Sequence, residues 1–204
     1  MFHVKQSAAE GLTEYRELVE RYHTTLDLVS DRALASFSTL IEEAERYADL
    51  VASLSPAADS ILDLGSGVGL PGIPLALALP ASRVVLVERR RRRASFLRIV
   101  ASQLSLGNVT VVHDDVRSIH GPCVDVITAQ AVGSLREVYR LSRHLTGESV
   151  WLVSRKGPRW VAELAELEAE LGASATEVRE EALPPHGTLV AVLLPGGSAC
   201  PPSG

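Results

Sequence analysis

The chain has 204 residues, 46% of them hydrophobic, enough to bury the core of one enzyme-sized domain. Its formal net charge of −5 speaks against a dedicated nucleic-acid binder, so any contact with RNA has to come from local basic patches. No run reaches the length of a membrane span, no N-terminal signal is visible, and Cys123 and Cys200 lie too far apart to suggest a metal cluster or a disulfide framework, so a cytoplasmic protein is expected.

Leu12, Tyr15, Val19, Tyr22, Leu26 and Val29 recur at spacings of three and four, and Leu34, Phe37, Ile41, Ala44, Ala48 and Val51 repeat that rhythm. The spacing predicts two amphipathic helices joined near Ser30-Asp31, where either residue could cap the second helix. Together they make an N-terminal helical cap over residues 1–56.

From residue 57 strands alternate with helices. The first strand, 60–64, carries an acid, Asp63, and runs into a turn with Gly65, Gly67 and Gly69 ahead of a helix over 71–79. Glycine lets a backbone turn sharply and approach a ligand closely, and a helix start offers free N–H groups. Such a turn at the end of a first parallel strand makes a nucleotide-type pocket. Gly67-x-Gly69-x-x-Gly72 also fits the dinucleotide fingerprint, and a turn that merely tightens the connection stays open. Asp63 favours a cationic cofactor, because a carboxylate repels a pyrophosphate and attracts the sulfonium of S-adenosylmethionine.

The second strand, 83–88, ends in Glu88, which lies 23 residues after Gly65. An acid there can accept hydrogen bonds from both ribose hydroxyls, in nicotinamide enzymes as well. Arg89-Arg-Arg-Arg-Arg93 follows, with Arg98, on a helix predicted over 90–105. Basic residues at a helix N-terminus oppose its dipole, so the run is either a solvated face or a phosphate attractor. A strand over 109–113 leads into Asp114-Asp115-Val116-Arg117. Further strands are expected at 124–129 and 149–154, helices at 134–145 and 159–172, and a terminal pair of strands at 176–181 and 187–194 around Leu183-Pro-Pro-His186. The alternation describes one α/β unit over 57–194. Residues 195–204 are expected to form a flexible tail.

Asp63-Leu-Gly-Ser-Gly-Val-Gly69 resembles the first motif of class I S-adenosylmethionine-dependent methyltransferases. The longer stretch Asp63–Ala76, with its Leu-Pro-Gly-Ile-Pro, is similar to that motif in the RsmG family, also called GidB. Arg93-Ala-Ser-Phe-Leu-Arg98 resembles the family's basic helix, Ala129-Gln-Ala-Val-Gly-Ser134 falls at its Ser-Arg-Ala segment, and Lys156-Gly157 matches its Lys-Gly. The resemblance implies a Rossmann-like fold, with a mostly parallel sheet, a C-terminal antiparallel hairpin and the helical cap. It implies transfer of a methyl group from S-adenosylmethionine to N7 of a guanine in small-subunit (16S) ribosomal RNA.

Asp63, Gly65, Gly67, Gly69, Leu70, Glu88, Asp115, Val116, Arg117 and Gln130 are then the expected cofactor contacts. Gln130 and Lys156 are the expected catalytic-site residues, Lys156 with Arg155 holding RNA phosphates. The partner is ribosomal RNA or the small subunit, met by a monomer without metal or membrane. The chain departs from the family at Gln130, which replaces an arginine, at Asp27-Leu-Val29 and the acidic stretch Thr39–Arg46 on the cap, and at His186-Gly-Thr188, which lacks the usual arginine. A methyltransferase with another substrate and a non-catalytic cofactor-binding module remain open, and an oxidoreductase more distantly.

Overall fold

In the computed structural model, which describes residues 2–54 (side chains from residue 8), 58–121, 123–183 and 187–197, seven strands form one sheet. In chain order they are β1 (Ser60–Leu64), β2 (Arg83–Val87), β3 (Val109–Val112), β4 (Val124–Ala129), β5 (Thr146–Lys156), β6 (Glu177–Ala182) and β7 (Thr188–Pro195). The spatial order is β3-β2-β1-β4-β5-β7-β6. β1 pairs in parallel with β2 and β4, β2 with β3 and β4 with β5, whereas β7 runs antiparallel between β5 and β6. The order reverses between β1 and β4, and in open α/β sheets that reversal opens a crevice at the carboxyl ends of the strands.

Parallel strands covered on both faces read as continuous apolar runs. Ile61, Val84, Leu86, Val126 and Val153 face one layer, with Tyr15, Phe37, Tyr47 and Phe96 from the helices. Leu62, Leu64, Ile127, Leu152, Val190 and Val192 face the other, with Leu135, Val138 and Leu167. The first layer comprises α1 (Phe2–Leu26), α3 (Phe37–Leu54), α4 (Gly72–Ala78) and α5 (Arg91–Gln103), and the second α6 (Leu135–Ser142) and α7 (Trp160–Leu171). The helices of the cap thus share one core with the sheet. The expected boundary at residues 56 and 57 lies outside the described residues.

The expected second helix is two. α2 (Asp31–Ala35) is capped by Ser30, whose side chain accepts from the N–H of Ala33, and the chain turns at Ser36 before α3. β5 begins at Thr146, three residues before the expected start, where it pairs with Val124 across a register shift. The expected tail is anchored through residue 197. The N–H of Gly196 donates to the Glu148 carbonyl at 2.8 Å, and that of Gly197 to Thr146 Oγ1 at 2.7 Å. Cys123 is disulfide-bonded, where no disulfide framework was expected. Pro184–His186 and residues 198–204 lie outside the described residues. Among the described residues no helix is long and apolar enough to cross a membrane, and no group of acids, histidines and cysteines is placed to hold a metal.

Candidate functional site

The carboxyl ends of β1, β2, β4 and β5 frame a cavity of about 970 Å³. Gly65, Ser66, Gly67, Val68 and Leu70 line it from the glycine turn, Glu88–Arg90 and Arg93 from β2 and α5, Asp115–Arg117 from the loop after β3, and Gln130–Val132 from the loop after β4. Arg155 and Lys156 close it from the end of β5.

The turn is stitched to the neighbouring strand. The N–H groups of Gly65 and Ser66 both donate to the Val87 carbonyl, at 2.9 and 3.0 Å. The N–H of Gly67 donates to Glu88 Oε2 at 2.9 Å, and that of Arg90 to Glu88 Oε1 at 2.6 Å. Gly67 has φ +59°, where a side chain is strained. A Cβ at Gly67 would find nothing nearer than the Gly65 carbonyl at 3.8 Å, so the space beside it belongs to the cavity. The α1 side chain Tyr15 supports the same turn, its hydroxyl donating to the Val68 carbonyl at 3.1 Å.

Asp63 and Gly69 do not line the cavity, which corrects two expected contacts. Gly69 faces inward, where a Cβ would press on Ile73, Leu97 and Tyr15. Asp63 is 1% exposed beneath the turn, where Thr128 Oγ1 donates to its Oδ1 at 2.9 Å and Oδ2 has no hydrogen-bond partner. Its carboxylate supports the turn from below instead of touching a ligand directly. Burial pushes its pKa up to about 6, with hydrogen bonding from Ser66 and Thr128 opposing part of the rise.

The sign of the resulting pH effect follows from linkage. A raised carboxyl pKa contributes stability that is full below about pH 4 and lost as pH rises through about 6. Between about pH 5 and 8 the wild type should lose roughly 1.4 kcal/mol relative to Asp63→Asn. Urea unfolding of both chains checks this, and a constant difference across that range would show that Asp63 keeps an ordinary pKa.

Asp115 caps the 3₁₀ turn Val116–Ser118. Its Oδ1 accepts from the backbone N–H of Arg117 at 3.0 Å and from Arg117 Nε at 2.9 Å, and its Oδ2 from Arg117 Nη2 at 2.7 Å. That bonding holds its carboxyl well below the usual range. Val116 is 4% exposed and gives the cavity an apolar wall. Arg117 is therefore tied to Asp115, with its guanidinium largely in solvent.

Lys156 is not available to phosphate, which corrects its expected role. Its Nζ donates to the Gly133 carbonyl at 2.6 Å and pairs with Glu163 Oε2 at 3.0 Å. Glu163 Oε2 also accepts from the N–H of Leu135 at 3.1 Å. The pair holds the loop from Gln130 to Ser134, in which Ala131 adopts φ +56° and Ser134 and Glu137 form a capping box at the start of α6. Arg155 is likewise engaged. Its Nε lies 3.4 Å from Glu43 Oε2, and its backbone N–H donates to Tyr47 Oη at 2.6 Å, so α3 is joined to the site.

The structure adds residues that sequence reasoning did not assign to the site. Arg93 lines the cavity with a buried Nε that has no hydrogen-bond partner. Its place in the basic helix was the available signal. Thr128, Tyr15, Tyr47, Glu43 and Glu163 act through pairings across the fold that no local pattern announces.

The residues fit S-adenosylmethionine. The open space at Gly67, the Glu88 carboxylate beside it and the apolar wall at Val116 suit a nucleoside bearing a short charged chain.

Residues 8–183 match the family model GidB, described as rRNA small subunit methyltransferase G. The chain is 37% identical over 140 residues to the ribosomal RNA small subunit methyltransferase G of Nitrosomonas eutropha, covering 68% of this chain and 64% of that one. It is 33% identical over 168 residues to the protein of that name from Gluconobacter oxydans, covering 82% and 84%. Among solved structures, the N-terminal domain of EvdMO1 with S-adenosylhomocysteine bound superposes with a TM-score of 0.57 at 16% identity, over 82% of this chain and 85% of that one. That likeness supports the class I methyltransferase fold.

Proposed function

The chain belongs to the GidB family of small-subunit rRNA methyltransferases, and from that premise we propose that it transfers a methyl group from S-adenosylmethionine to N7 of a guanine in small-subunit ribosomal RNA. The cofactor part rests on one observation above others, the glycine turn closed onto Glu88 at the carboxyl edge of the sheet. The RNA part rests on the family.

Bound S-adenosylmethionine supplies a methyl group on a positively charged sulfur. Glu88, 6% exposed, has lone pairs left beyond its two backbone donors with which to accept the ribose hydroxyls. Val116 and Leu70 would pack against the adenosine, and the open face of the turn at Gly67 would receive the rest. Gln130, half-buried at the rim, offers both a donor and an acceptor to a base edge or a carboxylate, without the charge of an arginine.

Guanine N7 carries a lone pair and no proton at neutral pH, so its attack needs no general base. That accords with the carboxylates at the cavity, Glu88 and Asp115, which are already committed to donors within the chain. The chain contributes position and a dry wall, holding N7 in line at near-attack distance. It acts as a monomer, in the cytoplasm, on the small subunit or its RNA.

Labelled methyl transfer to small ribosomal subunits lacking the mark tests this. The expected product is RNA that borohydride and aniline cleave at one guanine. Label elsewhere on the RNA would overturn the N7 assignment, and label only on other RNAs or metabolites would overturn the substrate.

A further inference from the structure

We propose that Arg90, Arg91 and Arg92, at the start of α5, form the docking surface for the sugar–phosphate backbone of the RNA substrate. This rests on the RNA methyltransferase reading above.

Of the other cations lining the cavity, all but Arg93 face a carboxylate of the chain. Arg117 and Arg89 face Asp115 at 2.7 and 3.5 Å, Arg155 faces Glu43 at 3.4 Å, and Lys156 faces Glu163 at 3.0 Å. Arg90, Arg91 and Arg92 are exposed, and no carboxylate among the described residues forms an ion pair with them. Arg90 lines the rim, and Arg91 and Arg92 continue from it onto the outer surface.

The fold does not require these charges there. The first turn of α5 has no acid, and Arg90 at its N-cap makes no side-chain capping bond. Three cations at the positive end of a helix dipole disfavour the helix. They also set a local positive field against a net charge of −5. An RNA whose base enters the cavity past Glu88 and Arg90 has its backbone outside that rim. Guanidinium groups offer phosphate oxygens a bidentate fork, and the field recruits a polyanion in a salt-dependent way.

The test compares the full chain with Arg91→Gln/Arg92→Gln, since neither residue lines the cavity. A charge-matched control is Arg16→Gln/Arg21→Gln on α1, Arg21 facing a cleft with Glu10, Glu14 and Glu17. Binding to deproteinised small-subunit rRNA and to intact small subunits is read between about 50 and 200 mM salt. The variant should bind free RNA about 25-fold more weakly at 0.1 M salt, with a log–log salt slope shallower by about 1.4. The KM for RNA should rise by a similar factor, while S-adenosylhomocysteine affinity is unchanged and the thermal midpoint is equal or higher.

Wild-type slope and KM in the variant, with methyl transfer to rRNA intact, would overturn the docking surface and leave the proposed function standing. Equal losses in the α1 control would overturn it as a matter of net charge. Losses on intact subunits but not on free RNA would place the arginines against an acidic protein and overturn it. A wild-type chain that binds S-adenosylhomocysteine but no rRNA would overturn both this surface and the substrate reading.

Discussion

Gly67→Val should abolish S-adenosylhomocysteine binding, by more than about 100-fold, in a chain that still folds. The backbone at Gly67 has φ +59°, and the left-handed region costs an L residue about 1–2 kcal/mol. A branched side chain there is further disfavoured. That loss is survivable for a domain of this size. The added methyls enter the space from which a Cβ meets only the Gly65 carbonyl at 3.8 Å and Arg93 Nη1 at 3.9 Å, so they fill the cavity and not the core. Gly72 gives the contrast. A Cβ there would strike the Leu86 side chain and come within 2.7 Å of Asp63 Oδ2, so Gly72→Ala should lower stability by about 1–3 kcal/mol. Calorimetry with circular dichroism separates the two glycines. Undiminished affinity in folded Gly67→Val would place the cofactor elsewhere.

Lys156→Met should lower stability by about 3 kcal/mol and methyl transfer by about 100-fold, with little change in cofactor affinity. The ammonium is 6% exposed and Glu163 is 29% exposed, so breaking the pair strands a partly buried carboxylate and the Gly133 carbonyl. The loop bearing Gln130 then loses the anchor that fixes it at the cavity, and an ångström of misplacement near reacting groups costs about two orders of magnitude. Lys156→Met/Glu163→Gln should recover much of the stability, because the stranded charge is gone while Leu135 keeps an acceptor. Thermal melts and single-turnover transfer read both effects. A lysine that held phosphate would instead leave the melting temperature alone and weaken RNA binding.

The parts of the fold legible in sequence were those written locally. Val84–Val87 is an apolar run and Val126–Ala129 is buried on both faces, and the glycine turn announces a pocket by its backbone needs. At the rim, Glu88 followed from a strand end whereas Val116 and Gln130 came with the family resemblance, and all three line the cavity. Long-range pairings decided the rest. Lys156 looks like a surface lysine until Gly133 and Glu163, from separate elements, converge on it. Asp63 looks like a ligand contact until the turn folds over it and Thr128 takes its oxygen. Thr146–Glu148 fell outside the expected strand because its strand character comes from pairing with β4 across a register shift. The acidic stretch on α3 gains a reason only in three dimensions, where Glu43 meets Arg155.

The pocket framed by Gly67, Glu88 and Val116 is the claim on which the other readings depend. Calorimetric titration of the full chain with S-adenosylhomocysteine, with NAD in a parallel cell, tests it most directly. One site with a Kd on the order of micromolar for S-adenosylhomocysteine, and no heat with NAD, is the expected result. Tight NAD binding without S-adenosylhomocysteine binding, or heat from neither ligand in a folded chain, would contradict it.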